Sequence, residues 1–434
     1  MSIYVSTSII LVAMVAAFVL SSIFLKSPDI SLAITAAVAV LFGVGFGWTD
    51  SFSRVMVEGL FVNLDTVLLF ITASIFVNIY SETGAINSVT RKLVSRFQNK
   101  WILLAFMGAF MLIPGALTGA GSISIFVLGA MVATVVGAMG LSKKKTAAFV
   151  FMFAILSAAA PPVNLWAMMI ASGSDIPYVG FDLPLMFPIV IVSIFTIIFL
   201  GWGSKRQSKE EVLASLPEAD EHMSWWRILT PLVVLIVLFL ASNYMAHAIP
   251  VLGLPLMFVL SAIAAVICNP KKLSIKEYGK IINNTFEQIF PLIATVLSVG
   301  MLQNAMSASG VKGLIGITFI TLPVIWIYVT VLFVAPFLQG ALNYGSAVVF
   351  GAPLIFLFNS MGFDPKIVAV ALSLIFPIGD CLPPSRITGR LAVEAVGYEG
   401  KYTSFLLAVL VPCLVLGLIA LAMMIWPNSF TFLI

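Results

Sequence analysis

Long apolar runs separated by polar segments form the main pattern along this 434-residue chain. Runs of about 20 apolar residues recur from one end to the other, and this is the length that an α-helix needs to cross the hydrocarbon core of a bilayer. The first run, from about Ser8 to Leu25, has no basic leader and no small-residue cleavage site, so we interpret it as a retained helix. The pattern predicts an all-α polytopic membrane protein.

Two apolar stretches, 101–139 and 322–361, are long enough for two helical segments each but are interrupted near their centres. The interruptions are TGAGSIS (118–124) and QGALNYGS (339–346), whose small and polar residues disfavour a continuous helix. Non-helical backbone at membrane depth is tolerated only where protein or a water-filled cavity covers it. We therefore expect each stretch to form a re-entrant hairpin, with two short limbs that meet at a polar tip.

Two other apolar runs, 146–171 and 366–394, each contain adjacent prolines, within SAAAPPVN (157–164) and GDCLPPSR (379–386). Two prolines remove two backbone donors and clash with the preceding turn, so each helix must break. A break exposes carbonyl oxygens, which suit Na⁺, and the positive end of the following half-helix, which suits a carboxylate. We therefore expect two broken Pro-Pro helices that bind an ion and a substrate.

The double prolines belong to a larger repeat. The offset that relates Pro114 to Pro336 also relates residues 161–162 to 383–384. Each copy holds five apolar crossings and one hairpin, and an odd number of crossings inverts the second copy, which is a common plan in secondary transporters. The predicted units are a first inverted repeat at 1–202, a cytoplasmic connecting loop at 203–227 and a second inverted repeat at 228–434.

Charge supports the same layout. Only 9% of the residues are charged and 61% are hydrophobic, whereas soluble domains carry about 25% charged residues. If both hairpins return to the side they left, all but three of the 22 Lys and Arg residues lie on one face. The positive-inside rule makes this face cytoplasmic and both termini external, in the inner membrane of a cell. The basic stretches Glu82–Lys100 and Lys271–Lys280 are predicted to lie along the membrane surface as arms.

Asp380 is the main candidate for chemistry at the second break, because an acid inside a membrane is costly unless it is paired or hydrated. We interpret it as a site of Na⁺ or proton coupling, and a structural pair with Arg386 is the alternative. Arg386 either meets an anionic substrate or extends to the cytoplasmic surface. Asn164 and Ser385 either bind substrate or cap the following half-helix, and Tyr344 either binds substrate or anchors the second tip.

The candidate site residues follow from the hairpin tips and the breaks. The expected substrate contacts are Ser122, Asn164, Asn343, Tyr344, Ser385 and Arg386. The expected Na⁺ ligands are Gly121, Ser122, Ser124, Pro161, Asn343, Ser346, Asp380 and Pro383.

A long stretch, LTGAGSISIFVLGAMVATVVGAMGLSKKKTAAFVFMFAILSAAAPPVN, resembles the ion transporter superfamily, and so do QGALNYGSAVVFGAPLIF and LPPS. The chain is most similar over nearly its whole length to the large membrane subunit of TRAP (tripartite ATP-independent periplasmic) transporters. The resemblance implies an elevator mechanism, Na⁺ coupling and an organic-acid substrate such as a C4-dicarboxylate or a sugar acid. A TRAP subunit would associate with a small membrane subunit and an external substrate-binding protein, whereas a stand-alone relative is expected to be a homodimer.

These observations together indicate a secondary active transporter, with Na⁺-coupled uptake of an organic acid as the expected activity and Na⁺ as the coupling ion. The alternative is a proton-coupled antiporter or exporter of the same superfamily, because Asp380 is able to carry a proton. An intramembrane enzyme would need a Ser/His pair, two membrane aspartates or an HExxH motif, and His247 and Asp380 supply none of these. We therefore expect no enzyme activity, and the expected partners are the substrate and the lipid bilayer, with no nucleic acid.

Overall fold

The computed structural model describes residues 3–49, 51–97, 99–204, 209–216, 223–244, 252–271 and 273–434. Within these ranges all regular elements are helical, and ten helical segments are long and apolar enough to cross a membrane. The chain is therefore a multi-pass helical membrane protein, as the apolar pattern predicted. Much of the predicted connecting loop, including Lys205 and Arg206, lies outside the described residues.

The first half contains eleven α-helices and one π-helical turn within the described residues, and a short twelfth helix follows it. The helices are α1 (Ile3–Leu25), α2 (Pro28–Gly45), α3 (Phe52–Val62), α4 (Leu64–Glu82), α5 (Ala85–Arg96), α6 (Lys100–Thr118), α7 (Gly121–Ser124), α8 (Ala130–Ala138), α9 (Lys143–Ala159), α10 (Leu165–Gly173), α11 (Asp182–Gly201) and α12 (Lys209–Ser215). The π-helical turn, Ile125–Gly129, joins α7 to α8.

The second half presents a similar order of elements. The helices are α13 (Trp225–Tyr244), α14 (Leu254–Cys268), α15 (Ile275–Ala308), α16 (Val311–Thr321), α17 (Val324–Leu342), α18 (Ala352–Ser360), α19 (Pro365–Ile375), α20 (Ile387–Val396) and α21 (Tyr402–Ile425). The other helical turns are the π-helix Ala347–Gly351 and the 3₁₀ segments Phe376–Cys381 and Pro427–Leu433.

The two interrupted stretches each fold as a pair of helical limbs joined by a tip that is shorter than predicted. At the first tip, Gly119 has φ +71° and ends α6, its N–H bonds to the carbonyl of Gly115, and α7 begins two residues later. This is the left-handed helix ending that glycine adopts without steric cost. At the second tip, Asn343 ends α17 with φ 49°. Most of the small and polar residues that we expected outside helices are therefore helical.

The basic segments lie side by side on one surface of the described structure. Lysine and arginine side chains from α5, α6 and α9 donate hydrogen bonds to carbonyl oxygens of the segments that end or follow α11, α12 and α20. The bonds are Lys143 Nζ to Gly397 O (3.2 Å), Lys145 Nζ to Trp202 O (3.3 Å), Lys100 Nζ to Ser204 O (2.5 Å), Arg91 Nη1 to Leu216 O (2.9 Å) and Lys92 Nζ to Met223 O (2.7 Å). These contacts agree with the predicted clustering of basic residues on one face.

The first predicted surface arm contains a separate short helix, whereas the second does not. Gly84, with φ +77°, separates α4 from the short amphipathic helix α5. The stretch Lys271–Lys280 does not form a separate arm, because Ser274 and Glu277 form a capping box that starts the 34-residue helix α15. The short helix comparable to α5 follows α15 as α16, and it too is preceded by a glycine with positive φ, Gly310.

The helices pack as two groups. Helices α1 to α4 pack with α14 and α15, and α13 packs on α14. Glycines allow the close crossing of α3 and α15, since a Cβ on Gly59 would lie 2.7 Å from the Cα of Met301. The second group contains α6 to α10 and α17 to α20. Helices α11 and α21 also pack against this group, on α9 and α19, because α9 is buried from Thr146 to Ala159 and needs neighbours on every side there.

Candidate functional site

The first break lies between α9 and α10 and is buried. Backbone at residues 160–164 leaves the helix around the Pro161–Pro162 pair, whose peptide bond is cis. The N–H of Val163 donates to the carbonyl of Ala116 in α6 (3.0 Å). This bond attaches the break to the first hairpin and satisfies a donor that the interrupted helix leaves free.

Asn164 is the cap of the half-helix α10, and its side chain is saturated by the protein. Its Oδ1 accepts from the N–H of Ala167 (3.0 Å). Its Nδ2 donates to the carbonyl of Ala159 (2.9 Å) and to Oγ of Ser373 in α19 (3.0 Å). Asn164 therefore joins the two broken helices to each other. Its contacts are those of a helix cap, one of the two alternatives considered from the sequence.

The second break lies between α19 and α20 and is more open. The Pro383–Pro384 peptide bond is again cis, and both prolines are exposed. The N–H of Ser385 donates to the carbonyl of Gly340 in α17 (3.1 Å), which parallels the bond from Val163 to the first hairpin. A Cβ on Gly340 would lie 2.9 Å from the carbonyl oxygen of Pro383, so glycine is needed for this close approach.

Gln339 connects the second tip, the second break and the first broken helix. Its Oε1 accepts from the indole Nε1 of Trp166 in α10 (2.8 Å) and from the hydroxyl of Ser346 (2.7 Å). Its Nε2 donates to Oδ1 of Asp380 (3.0 Å). The Gln339 side chain is buried, and these bonds satisfy both ends of its amide.

Asp380 is held by neutral donors. In addition to Gln339, the hydroxyl of Thr388 in α20 donates to its Oδ2 (2.9 Å). Among the described residues, no Lys, Arg or His nitrogen lies within 4.0 Å of this carboxylate, so the structural pair with Arg386 is not formed. The arrangement leaves a carboxylate inside the fold with hydrogen bonds and without a neutralising partner.

Arg386 lies against Tyr402 and away from Asp380. Its φ is 51°, and its guanidinium carbon is 5.3 Å from the centroid of the Tyr402 ring, which is a cation–π distance. Its Nε is buried and has no hydrogen-bond partner among the described residues. The hydroxyl of Tyr402 donates to the carbonyl of Cys381 (2.9 Å), so the same tyrosine also fixes the second break.

The two hairpin tips meet. Tyr344 is buried at the second tip, and its hydroxyl donates to the carbonyl of Gly119 at the first tip (3.3 Å). The Tyr344 ring centroid lies 5.0 Å from that of Trp166. These contacts fit the anchoring alternative for Tyr344, and they bring both tips and α10 to one place.

The other predicted site residues divide into two sets. Ser124 and Ser346 are buried and bonded, since the hydroxyl oxygen of Ser124 lies 2.9 Å from that of Ser157 in α9, and Ser346 bonds to Gln339. Gly121 packs on α9, where a Cβ would lie 2.5 Å from the carbonyl of Ala154. In the second set the side chains are half-buried and make no hydrogen bond within the part of the chain that the structure describes. These are Ser122, Asn343 and Ser385.

Four residues at this site were not predicted from the sequence: Gln339, Thr388, Trp166 and Ser157. A signal existed for two of them. Gln339 begins the polar interruption of the second hairpin, and Ser157 begins the SAAAPPVN segment. Trp166 and Thr388 gave no signal, because an indole or a threonine in an apolar helix is common and its partner comes from a distant segment.

The fold is similar to that of two solved transporters. The YdaH transporter of Alcanivorax borkumensis, reported to have an unusual topology, superposes with a TM-score of 0.61 and 13% identity over 86% of this chain and 88% of that chain. MtrF of Neisseria gonorrhoeae, from a class of antimetabolite efflux pumps, superposes with a TM-score of 0.57 and 13% identity over 86% of this chain and 82% of that chain. The fold is one that membrane transporters use.

At this identity the likeness shows the fold alone. No protein-family model matches the sequence. A comparison with curated proteins returns no match. The resemblance to the large TRAP subunit stays a prediction.

Proposed function

We propose that the chain is a secondary active transporter in which a cation and an organic anion bind between the two hairpin tips and the two breaks. One observation carries the proposal: the Asp380 carboxylate lies inside a polytopic fold, and among the described residues it is bonded only to the neutral donors Gln339 and Thr388. An uncompensated carboxylate at such a position is costly unless a cation joins it. We propose Na⁺ as that cation in an uptake system.

The oxygen atoms near Asp380 fit a hard cation. The Ser346 hydroxyl and the carbonyl of Asn343 lie in the same hydrogen-bonded group as Gln339, with Ser346 2.8 Å from the Asn343 carbonyl, whereas the Gln339 amide oxygen is already bonded to Trp166 and Ser346. Interrupted helices in transporters supply carbonyl oxygens of this kind to Na⁺. A single carboxylate would balance the charge of one bound Na⁺.

The substrate is proposed to be an organic acid. The side chains of Ser122, Asn343 and Ser385 have free hydrogen-bonding capacity at the tips and the second break. The first N–H groups of α10 and α20 follow the two breaks, and a helix N-terminus favours a negative charge. A carboxylate between these groups would meet donors from both halves.

An inverted repeat and an elevator movement are part of the same proposal. Its support is that the first hairpin packs on α9, α17 packs on segment 376–381, and both broken helices pack on α11 and α21. A unit made of these elements would move against α1 to α4 and α13 to α15. The basic surface would face the cytoplasm, with both termini outside the inner membrane.

A proton-coupled exporter is the second candidate. Asp380 is able to bind a proton, and MtrF, an antimetabolite efflux pump by its description, has a similar fold. In that case the carboxylate would alternate between a protonated and an ionised form, and export would require a proton gradient and no Na⁺.

The test is uptake of radiolabelled organic acids by the purified chain in liposomes, with Na⁺, Li⁺ or choline outside. Asp380→Asn is expected to lower the apparent affinity of transport for Na⁺ about 10- to 150-fold, because a charge-assisted ligand contributes about 1.5–3 kcal/mol to ion binding. Asp29→Asn is the matched control, since Asp29 is a half-buried acid at the start of α2 that accepts a hydrogen bond from Thr295 in α15 and lies outside both breaks.

Each outcome assigns a mechanism. Na⁺-independent uptake in the native chain that collapses with the pH gradient would overturn the Na⁺ proposal and favour the exporter. Unchanged Na⁺ dependence in folded Asp380→Asn protein would remove Asp380 from the site. Uptake that begins only when an external binding protein is added would assign the chain to a TRAP system and reject the stand-alone form.

A further inference from the structure

A groove of about 570 Å³ lies between α5, α6 and α13, outside the site described above. Its walls are mainly apolar side chains, among them Phe106, Phe110, Leu229 and Leu232. Leu229 is 47% exposed and Ala109 on α6 is also exposed, so the groove opens sideways toward the surface that the lipid bilayer covers. A chain of methylene groups would fill such a groove with apolar contact.

One end of the groove carries positive charge. Val89, Lys92, Leu93 and Arg96 all line it, and their spacing of three and four residues places them on one face of α5. Lys92 is fixed there, because its Nζ donates to the Met223 carbonyl (2.7 Å) and lies 5.1 Å from the centroid of the Trp225 ring.

Arg96 is free to bind. It is exposed, in the last turn of α5, and has no hydrogen bond or ion pair within the described part of the chain. The arginine fork binds phosphate through two parallel bonds. The exposed Trp225 at the same end is 49% accessible, and exposed tryptophans are typical of the headgroup level of a membrane.

The second half provides an internal comparison. A cleft of about 240 Å³ lies between α1, α2, α15, α16 and α17. In the proposed repeat, α1, α15, α16 and α17 correspond in order to α13, α4, α5 and α6. Its lining contains no charged residue, and Thr35 is its only hydroxyl. A cleft of this kind therefore forms without cationic residues. Lys92 and Arg96 of the first groove are not explained by packing alone.

We propose that the groove binds an anionic phospholipid. The phosphate lies between Lys92 and Arg96, and one acyl chain lies along α6 and α13. The groove is on the surface where the basic segments cluster, and anionic lipids are concentrated by basic residues at such a surface. The lipid would join α5, the arm that follows α4, to the first hairpin.

Native mass spectrometry of the full-length purified chain tests this proposal. The probes are phosphatidylglycerol, phosphatidylcholine with the same acyl chains, and glycerol phosphate without acyl chains. The native chain is expected to bind phosphatidylglycerol most tightly. Arg96→Gln is expected to weaken that binding about fivefold, the contribution of one surface cation, with a smaller loss for phosphatidylcholine, whose choline cation offsets the charge of its phosphate. Ala109→Phe, which fills the groove wall, is expected to weaken binding of both lipids.

Lys144→Gln is the control, since Lys144 is exposed on the same surface and lies at the start of α9, outside the groove. Equal binding of the two lipids by the native chain would overturn the proposal without any variant. Equal losses for Arg96→Gln and Lys144→Gln would show a diffuse surface charge effect and would also overturn it. Binding of glycerol phosphate as tight as that of phosphatidylglycerol would show a site for a soluble anion instead.

Discussion

Replacing Gln339 by Leu tests whether the hydrogen bonds of this side chain at the second tip hold the two halves of the protein together. Leucine keeps the approximate volume and removes the bonds to Trp166, Ser346 and Asp380. Hydrogen bonds between helices in membrane proteins contribute about 0.6 kcal/mol on average and about 1.7 at most. The bond to the carboxylate contributes about 1.5–3 kcal/mol. The sum predicts a loss of roughly 3–6 kcal/mol in the free energy of unfolding.

Gln303→Leu is the matched control. Gln303 is a buried glutamine of α15 whose Nε2 donates to the carbonyl (3.1 Å) and hydroxyl (3.3 Å) oxygens of Ser172, and whose Oε1 has no partner among the described residues. Its replacement removes little bonding and also removes an unsatisfied oxygen, so we expect a loss of about 1 kcal/mol or less. Unfolding of both variants in mixed micelles with increasing SDS, followed by circular dichroism, gives the two free energies.

A difference of less than about 1 kcal/mol between the two variants would refute the reasoning, because the three bonds would then contribute no more than one average bond. If Gln339→Leu loses much of its stability but its transport keeps the same Na⁺ dependence, the hydrogen bonds of Gln339 are structural. They are then separate from the proposed cation site.

Two further predictions concern topology and packing. Single cysteines at Ser142 and Ser360, which are exposed at the outer ends of the two interrupted stretches, are expected to react with membrane-impermeant maleimide from opposite sides of the membrane, against a background of native cysteines that are buried. Labelling of both from one side would contradict the inverted layout. Gly59→Ala is expected to cost about 1–3 kcal/mol through overlap with Met301, whereas Gly279→Ala, a helical position with open space around it, should stabilise by about 0.5–1 kcal/mol; equal thermal shifts would contradict close packing of α3 on α15.

The sequence alone determined the helices and the places where they break. Apolar runs of bilayer length must form helices, because their backbone groups have no water to bond in the hydrocarbon core. Adjacent prolines must end a helix, because the proline ring clashes with the preceding turn and proline has no backbone N–H to donate. The breaks at 161–162 and 383–384 therefore lie where the residues predicted them. The candidate ligands at the tips also follow from local composition.

Only the tertiary structure decided which side chains meet. It placed Arg386 on Tyr402 and left Gln339 and Thr388 as the partners of Asp380. It joined Lys271–Lys280 to α15 and packed α11 and α21 beside the broken helices. Hydrogen-bond partners of a buried polar group come from whichever segment packs nearest, and a local pattern holds no information about that segment. Local steric and solvation rules act within one turn of the chain, whereas the partner of a buried carboxylate depends on how whole helices fill the space around it.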